Sequence, residues 1–273
     1  MNRIDSTFQA LAEAGRVGLF PYLIAGFPSL DATERLAVAA VEAGADALEL
    51  GVPFSDPLAD GTTIQRAGEV ALRNGASLTW TVDLAARLRA RLDVPLILMT
   101  YYNPIHHHGV ERLVADAKRA GIDGFIVPDL PFAEATPLVK AADRRDLYVI
   151  QLVAPTTTDD RLAEAGRSAR GFVYCVSLLG TTGARDHVAA NLPEFTARVR
   201  AHVSKPLLIG FGIARPEHIV AVRPYAEAVV VGSAIADLLG TARPDKRESA
   251  LATYIRSLRE ACEPERVATE TRL

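Results

Sequence analysis

The feature that most constrains the fold is a repeating alternation. Eight short apolar runs, rich in β-branched residues, occupy positions 19–25, 46–50, 95–100, 123–127, 147–152, 172–176, 206–210 and 227–231. Between them lie segments with apolar residues at helical spacing, such as Leu36, Ala40, Val41 and Ala43, or Leu113, Val114, Ala117 and Ala120. Strands alternating with helices indicate βαβ units and a parallel sheet. Runs this continuously apolar belong to a sheet buried on both faces, and eight such units without a composition break favour a closed (β/α)8 barrel over an open doubly wound sheet. The expected fold is therefore one TIM-barrel domain spanning residues 1–273, a length within the range of such barrels. An extra helix is expected between the second and third runs, where 62–73 and 78–92 both read as helical. Residues 1–15 form an N-terminal helix whose Phe8, Leu11 and Ala12 cover the lower end of the barrel. From Thr241 onward, Leu251, Tyr254, Ile255 and Leu258 mark a closing helix.

Charge and composition remove several classes of partner. The net charge of −3, from 30 basic and 33 acidic residues, provides no footprint for a polyanion. No apolar run approaches the roughly 20 residues needed to span a bilayer, and the N-terminus lacks the apolar segment of a signal peptide, so a cytoplasmic enzyme is expected. Cys175 and Cys262 form neither a disulfide framework nor a zinc-ligand pattern. Gly44 and Gly121, each two residues before an Asp that opens a run, read as helix-stop turns with a structural role.

In a barrel the chemistry sits at the C-terminal ends of the strands and on the loops that follow, and position therefore sorts the candidates. Glu49 falls within an otherwise apolar strand. Pointing inward, its carboxyl would be held against apolar walls, its pKa would rise, and it would serve as acid and base near neutral pH; the plain alternative is a Glu tied to a neighbouring cation or amide. The following loop, 51–61, is stiffened by Pro53, Pro57, Gly51 and Gly61 and brings Asp60 back towards the same pocket. Asp60 is equally placed to cap the helix beginning at Thr62. Tyr174 shares a strand face with Phe172 and Val176, and its phenol needs either a core acceptor or a substrate group.

Small-residue turns follow the last three strands: Gly180-Thr181-Thr182-Gly183, Gly210-Phe211-Gly212, and Gly232-Ser233 at the head of a helix. Together they describe the phosphate cradle of barrel enzymes, in which close amides and a helix N-terminus hold the anion. Lys118, Lys140, Lys205 and Lys246 all fall outside the pocket, which disfavours Schiff-base chemistry. His106, His107 and His108 read as a solvated loop, since adjacent residues do not converge on one ion. No early glycine fingerprint for a dinucleotide is present. Trp80 reads as packing.

The segment Ala45-Asp46-Ala47-Leu48-Glu49-Leu50-Gly51-Val52-Pro53-Phe54-Ser55-Asp56-Pro57-Leu58-Ala59-Asp60-Gly61 closely resembles the signature of the tryptophan synthase α-subunit family. The resemblance continues through Met99-Thr100-Tyr101-Tyr102-Asn103-Pro104, Val127-Pro128-Asp129-Leu130-Pro131, Ala154-Pro155-Thr156-Thr157, Gly210-Phe211-Gly212-Ile213 and Val231-Gly232-Ser233-Ala234-Ile235, covering essentially the whole chain. It implies retro-aldol cleavage of indole-3-glycerol phosphate to indole and glyceraldehyde 3-phosphate, with no metal or organic cofactor of its own.

By that resemblance Glu49 is the general acid/base, Asp60 accepts the indole N–H, and Tyr174 orients Glu49 and the substrate. Tyr22, Phe211 and Val230 wall the indole, while Thr182, Gly183, Gly212, Gly232 and Ser233 hold the phosphate end. The resemblance further implies a pyridoxal-phosphate β subunit as partner in an αββα assembly, contacted through the loop with Asp56 and Pro57, and a lid over 177–190. This chain carries Leu178, Leu179 and Thr181 where the family commonly has other lid residues, Thr62 in place of a common proline, and Ala214 in place of a frequent serine. A stand-alone lyase and a non-catalytic activating subunit are alternative uses of the same scaffold. Another phosphosugar barrel enzyme would share the phosphate cradle but would leave the 49–60 segment unexplained.

Overall fold

The computed structural model describes residues 1–176, 191–210 and 212–264. Each apolar run becomes a parallel strand: β1 Gly18–Ile24, β2 Leu48–Gly51, β3 Leu96–Met99, β4 Gly124–Ile126, β5 Tyr148–Val149, β6 Gln151–Val153, β7 Val173–Val176, β8 Leu207–Gly210 and β9 Ala228–Val231. Their order is β5-β4-β3-β2-β1-β9-β8-β7-β6. The fifth run is one strand interrupted at Ile150, and the Ile150 N–H still bonds to the Phe125 carbonyl at 2.9 Å. The sheet thus curls into a nearly closed barrel, and the count of nine segments corrects the expected eight only by that break.

Among the described residues twelve α-helices surround the strands. Between β2 and β3 lie two of them, α3 Thr62–Arg73 and α4 Leu78–Arg89, so the insertion is present and its second helix ends before residue 92. Two apolar layers result. An outer one lies between strands and helices and is built from residues such as Leu36, Leu84, Leu113, Leu162 and Ile255. An inner one fills the lower barrel, where α1 Arg3–Ala14 inserts Ile4, Phe8 and Leu11. Phe8, Phe20 and Phe172 meet there with ring centroids 5.5–6.0 Å apart, Phe20 and Phe172 edge to face. Ala12 is exposed, and the buried face of α1 is formed by Ile4, Phe8 and Leu11, spaced four and three apart.

The lower rim is tied by ion pairs at the two Asp residues that follow the helix-stop glycines. Asp46 takes a two-pronged contact from Arg16, at 2.8 and 2.6 Å, and accepts the Leu19 N–H. Asp123 accepts from Arg89 and from the Leu96 N–H. Gly44 and Gly121 adopt φ of +110° and +75°, which favours glycine at both turns. These groups all lie below the strands, leaving the upper face for chemistry. Cys175 and Cys262 are free and buried, and burial pushes each thiol up to about 12.

The three histidines correct another expectation. Tyr102–His108 is a short helix, α5, and not a loop; the Tyr102 N–H is held by Asp129 at 2.8 Å and Pro104 fits its first turn. His108 pairs with Asp116 at 2.8 Å. No cluster of three or more metal-ligating side chains occurs among the described residues. Trp80 packs partly buried against the core with Arg87 over its ring at 5.7 Å.

Candidate active site

Strand alternation decides which side chains enter the barrel. On β2, Glu49 faces inward above Ala47, and in the β1–β2 register it lies beside Tyr22. Glu49 is only 1% exposed, and its Oε1 has no hydrogen-bond partner. Burial pushes its pKa up to about 8, with the negative charge of Asp60 adding to the rise. Such surroundings favour the neutral acid over the carboxylate and suit the group to pass a proton to an acceptor that enters the barrel.

Asp60 reaches this space from the loop after β2. It does not cap α3: the N-cap is Gly61, with no side-chain cap bond, which resolves the alternative left open by spacing. Burial raises the Asp60 pKa, and a hydrogen bond from the Tyr101 hydroxyl opposes the rise. Tyr101 is a residue that sequence reasoning passed over. Its hydroxyl oxygen also accepts the Ala59 N–H at 3.0 Å, and its ring stacks on Phe54 at 5.3 Å. One phenol therefore anchors both the loop and the carboxylate. Its place just beyond β3, on the catalytic face, was the available signal.

Two further phenols complete the upper layer. Tyr174, on β7, is buried and belongs to the inner cluster beside Phe172, as alternation requires. Burial raises its pKa well above the usual tyrosine value, with the negative charge of Glu49 next in effect. Tyr22 is raised likewise by burial, then by Asp60 and Glu49. Both rings lean over glycines at the ends of neighbouring strands. The Tyr22 hydroxyl comes within 2.1 Å of where a Cβ on Gly51 would lie, and the Tyr174 hydroxyl within 2.2 Å of a Cβ on Gly210. Only a strand end without a side chain admits either ring.

Val230 lies on the inner face of β9, buried at 5% exposure. Gly232 and Ser233 follow it, Gly232 as the N-cap of α11, Ser233–Thr241, with Ser233 exposed at the helix head. Gly212 is exposed after β8 and holds φ +80°. The structure thus brings Tyr22, Glu49, Asp60, Tyr174 and Val230 to the barrel's upper end, with Gly212, Gly232 and Ser233 on the loops above the last strands. Thr182, Gly183 and Phe211, like the whole expected lid over 177–190, lie outside the described residues.

A barrel with this arrangement can exchange protons with a substrate at Glu49, offset positive charge with Asp60, and bind an anion at the glycine turns. The chain is similar throughout its length to proteins of one family. The sequence profile of the tryptophan synthase alpha chain family matches residues 8–263. A tryptophan synthase alpha chain from Chloroflexus aggregans is 47% identical over 264 residues, covering 96% of this chain and 99% of that one. The structure of tryptophan synthase subunit alpha from Legionella pneumophila superposes with a TM-score of 0.87 at 36% identity, covering 96% of this chain and 98% of that one. A chain in a structure of Mycobacterium tuberculosis tryptophan synthase gives a TM-score of 0.88 at 33% identity, covering 96% and 99%.

Proposed function

Since the chain belongs to the tryptophan synthase alpha chain family, we propose that Glu49 and Asp60 carry out that family's reaction in it. The protein is a lyase of tryptophan biosynthesis that cleaves indole-3-glycerol phosphate to indole and glyceraldehyde 3-phosphate. The observation that carries the residue assignment is the Glu49 carboxyl, enclosed in the barrel and unpartnered at Oε1, where burial pushes its pKa up to about 8.

The reaction needs a proton on indole C3 and the loss of one from the adjacent side-chain hydroxyl. Glu49, as the acid, gives its proton to C3, which leaves a positive charge shared with the ring nitrogen. Asp60, whose ionised form the Tyr101 hydroxyl favours, accepts the ring N–H and offsets that charge. The Glu49 carboxylate then takes the hydroxyl proton, and the C–C bond breaks. Its electron pair returns to the ring as indole, the hydroxyl carbon becomes the aldehyde, and Glu49 ends protonated as it began. Two carboxyls in one pocket serve opposite roles because their surroundings differ: one is enclosed and the other hydrogen-bonded at the mouth.

In this reading Tyr174 orients Glu49, and Tyr22, Val230 and Phe211 wall the indole. The phosphate lies on the turns at Gly212, Gly232 and Ser233, where the N-terminus of α11 favours the anion, and the family resemblance alone adds Thr182 and Gly183.

The family implies a β-subunit partner, and we assign its contact to the loop after β2. Leu58, at its tip, is 88% exposed beside exposed Asp56. An apolar side chain displayed on an ordered loop is suited to a partner's surface. The pyridoxal phosphate would belong to that β subunit, which joins the released indole to serine. A cytoplasmic location suits such a subunit, and no helix among the described residues is long and apolar enough to cross a membrane.

Indole release from indole-3-glycerol phosphate, followed with and without a β subunit, tests the reading. Slow turnover that rises on adding the β subunit is the expected result. Fast turnover indifferent to it would identify a stand-alone lyase, and no turnover in either arm would overturn the catalytic assignment, leaving an activating subunit.

A further inference from the structure

We infer that His218 is a positioning residue for the turn after β8, an inference resting on the reading of Gly212 as part of the phosphate site. His218 sits on α10, Pro216–Val222, and is 7% exposed. Its ring stands against the turn at two points. Nδ1 lies 3.0 Å from the Gly212 carbonyl oxygen and 3.2 Å from the Ala214 nitrogen, while Nε2 lies 3.2 Å from Nη2 of Arg215.

A guanidinium only donates, so the Arg215 contact asks Nε2 to accept and places the proton of a neutral ring on Nδ1, where the Gly212 carbonyl takes it. The opposite tautomer would accept the Ala214 N–H at the same nitrogen. Either neutral ring therefore holds one peptide of the turn. The other side is fixed independently, because Tyr254 of α12, Arg247–Cys262, donates its hydroxyl to the Ala214 carbonyl at 2.8 Å.

The stretch from Gly212 to Ala214 is thus held between two helices while Gly212 remains exposed to ligand. Gly212 holds φ +80°, a conformation that leaves its peptide planes set by whatever bonds them. A phosphate cradle made of backbone amides binds well only if those planes are fixed before the anion arrives. The side chain at 214 is a methyl group, which supplies no hydroxyl to the anion, so this turn offers it backbone amides. Among the described residues the ring of His218 hydrogen-bonds to backbone of the turn and to Arg215. Its effect on the substrate passes through the turn.

The test compares His218→Leu and His218→Gln, with Gly212→Ala alongside, on indole-3-glycerol phosphate and on the dephosphorylated indole-3-glycerol. His218→Leu should raise KM for the phosphorylated substrate about tenfold, the worth of roughly one hydrogen bond, with kcat within about twofold. Its kcat/KM on indole-3-glycerol should not change. His218→Gln, which keeps a donor and an acceptor, should restore most of the affinity. Tyr254→Phe, which loosens the same turn from its other side, should raise KM in the same selective way and reads the device independently if His218→Leu does not fold.

An equal fall on both substrates would overturn the inference by showing a general structural role. An unchanged KM in His218→Leu or, failing that, in Tyr254→Phe, beside a raised KM in Gly212→Ala, would overturn it while the phosphate reading stands. An unchanged KM in Gly212→Ala as well would overturn both.

Discussion

Tyr22 occupies the space that a side chain on Gly51 would need: its hydroxyl oxygen lies 2.1 Å, and its Cζ 2.4 Å, from the position of a Cβ there. Gly51 lies two residues beyond Glu49 on β2, and the register sets Tyr22 directly beside Glu49. Gly51→Ala therefore has to displace the ring. Because the clash is with the far end of the Tyr22 side chain, the expected loss falls on activity more than on stability: kcat/KM lower by about tenfold, from misplacement of the pocket wall. Tyr22→Phe should not rescue it, since the ring carbons are also too close, whereas in a Tyr22→Ala background the added Gly51→Ala change should cost little. A double-mutant cycle on kcat/KM measures the coupling, and simple additivity would show that the two do not compete for space.

Glu49 predicts a stability effect with a definite sign. Its carboxyl is raised from an ordinary value of 4.5 to about 8, so the folded state binds its proton more tightly than the unfolded chain does. The stabilisation from holding the neutral acid is full below about 4.5 and is lost as pH rises through about 8. Glu49→Gln stays neutral throughout and should match the native chain near pH 4.5. It should gain progressively up to pH 8 and then hold a constant lead on the order of a few kcal/mol. Urea unfolding across that range measures it, and a constant difference at all pH values would contradict the buried-acid account.

The Tyr101 hydroxyl favours the ionised form of Asp60 and opposes the upward push of burial. Removing the hydroxyl in Tyr101→Phe should let the Asp60 pKa rise further, and the acid limb of kcat/KM should move to higher pH. The loss should be about tenfold near pH 6 and smaller near pH 8, as expected for one charge-assisted hydrogen bond. A profile that overlies the native one would show that Asp60 does not depend on this phenol.

Leu58 separates chemistry from coupling. Leu58→Asp changes an exposed loop tip, so the isolated chain should keep its turnover within about twofold while the β subunit needed for half-maximal activation rises at least about tenfold. Titration of the β subunit against a fixed amount of the variant measures both, and an unchanged activation curve would move the contact away from this loop.

The barrel was legible because its signal is repeated: eight apolar runs with helical segments between them allow few other architectures. What escaped depended on single contacts. The break at Ile150 and the early end of α4 are local departures that periodicity does not resolve. Ala12 was assigned to the buried face of α1 although Ile4 fills that role, since small residues read as apolar on either side of a helix.

At the site, Glu49 could be placed by strand position alone, whereas Asp60 could not be separated from a helix cap until Gly61 was seen to hold that position. Tyr101 and His218 escaped because each acts through a partner far along the chain or through backbone. One binds a loop 42 residues away, and the other holds carbonyl and amide groups that carry no mark in the amino-acid order.

The rate of indole release by Glu49→Gln decides whether the buried Glu49 carboxyl donates the proton for cleavage. Measured from pH 6 to 9.5 beside the native chain, the native kcat/KM should fall along a limb near pH 8. The variant should be slower by about a hundredfold or more and show no such limb. A variant within about tenfold of the native rate, with the same limb near pH 8, would contradict the claim and assign the proton to another group.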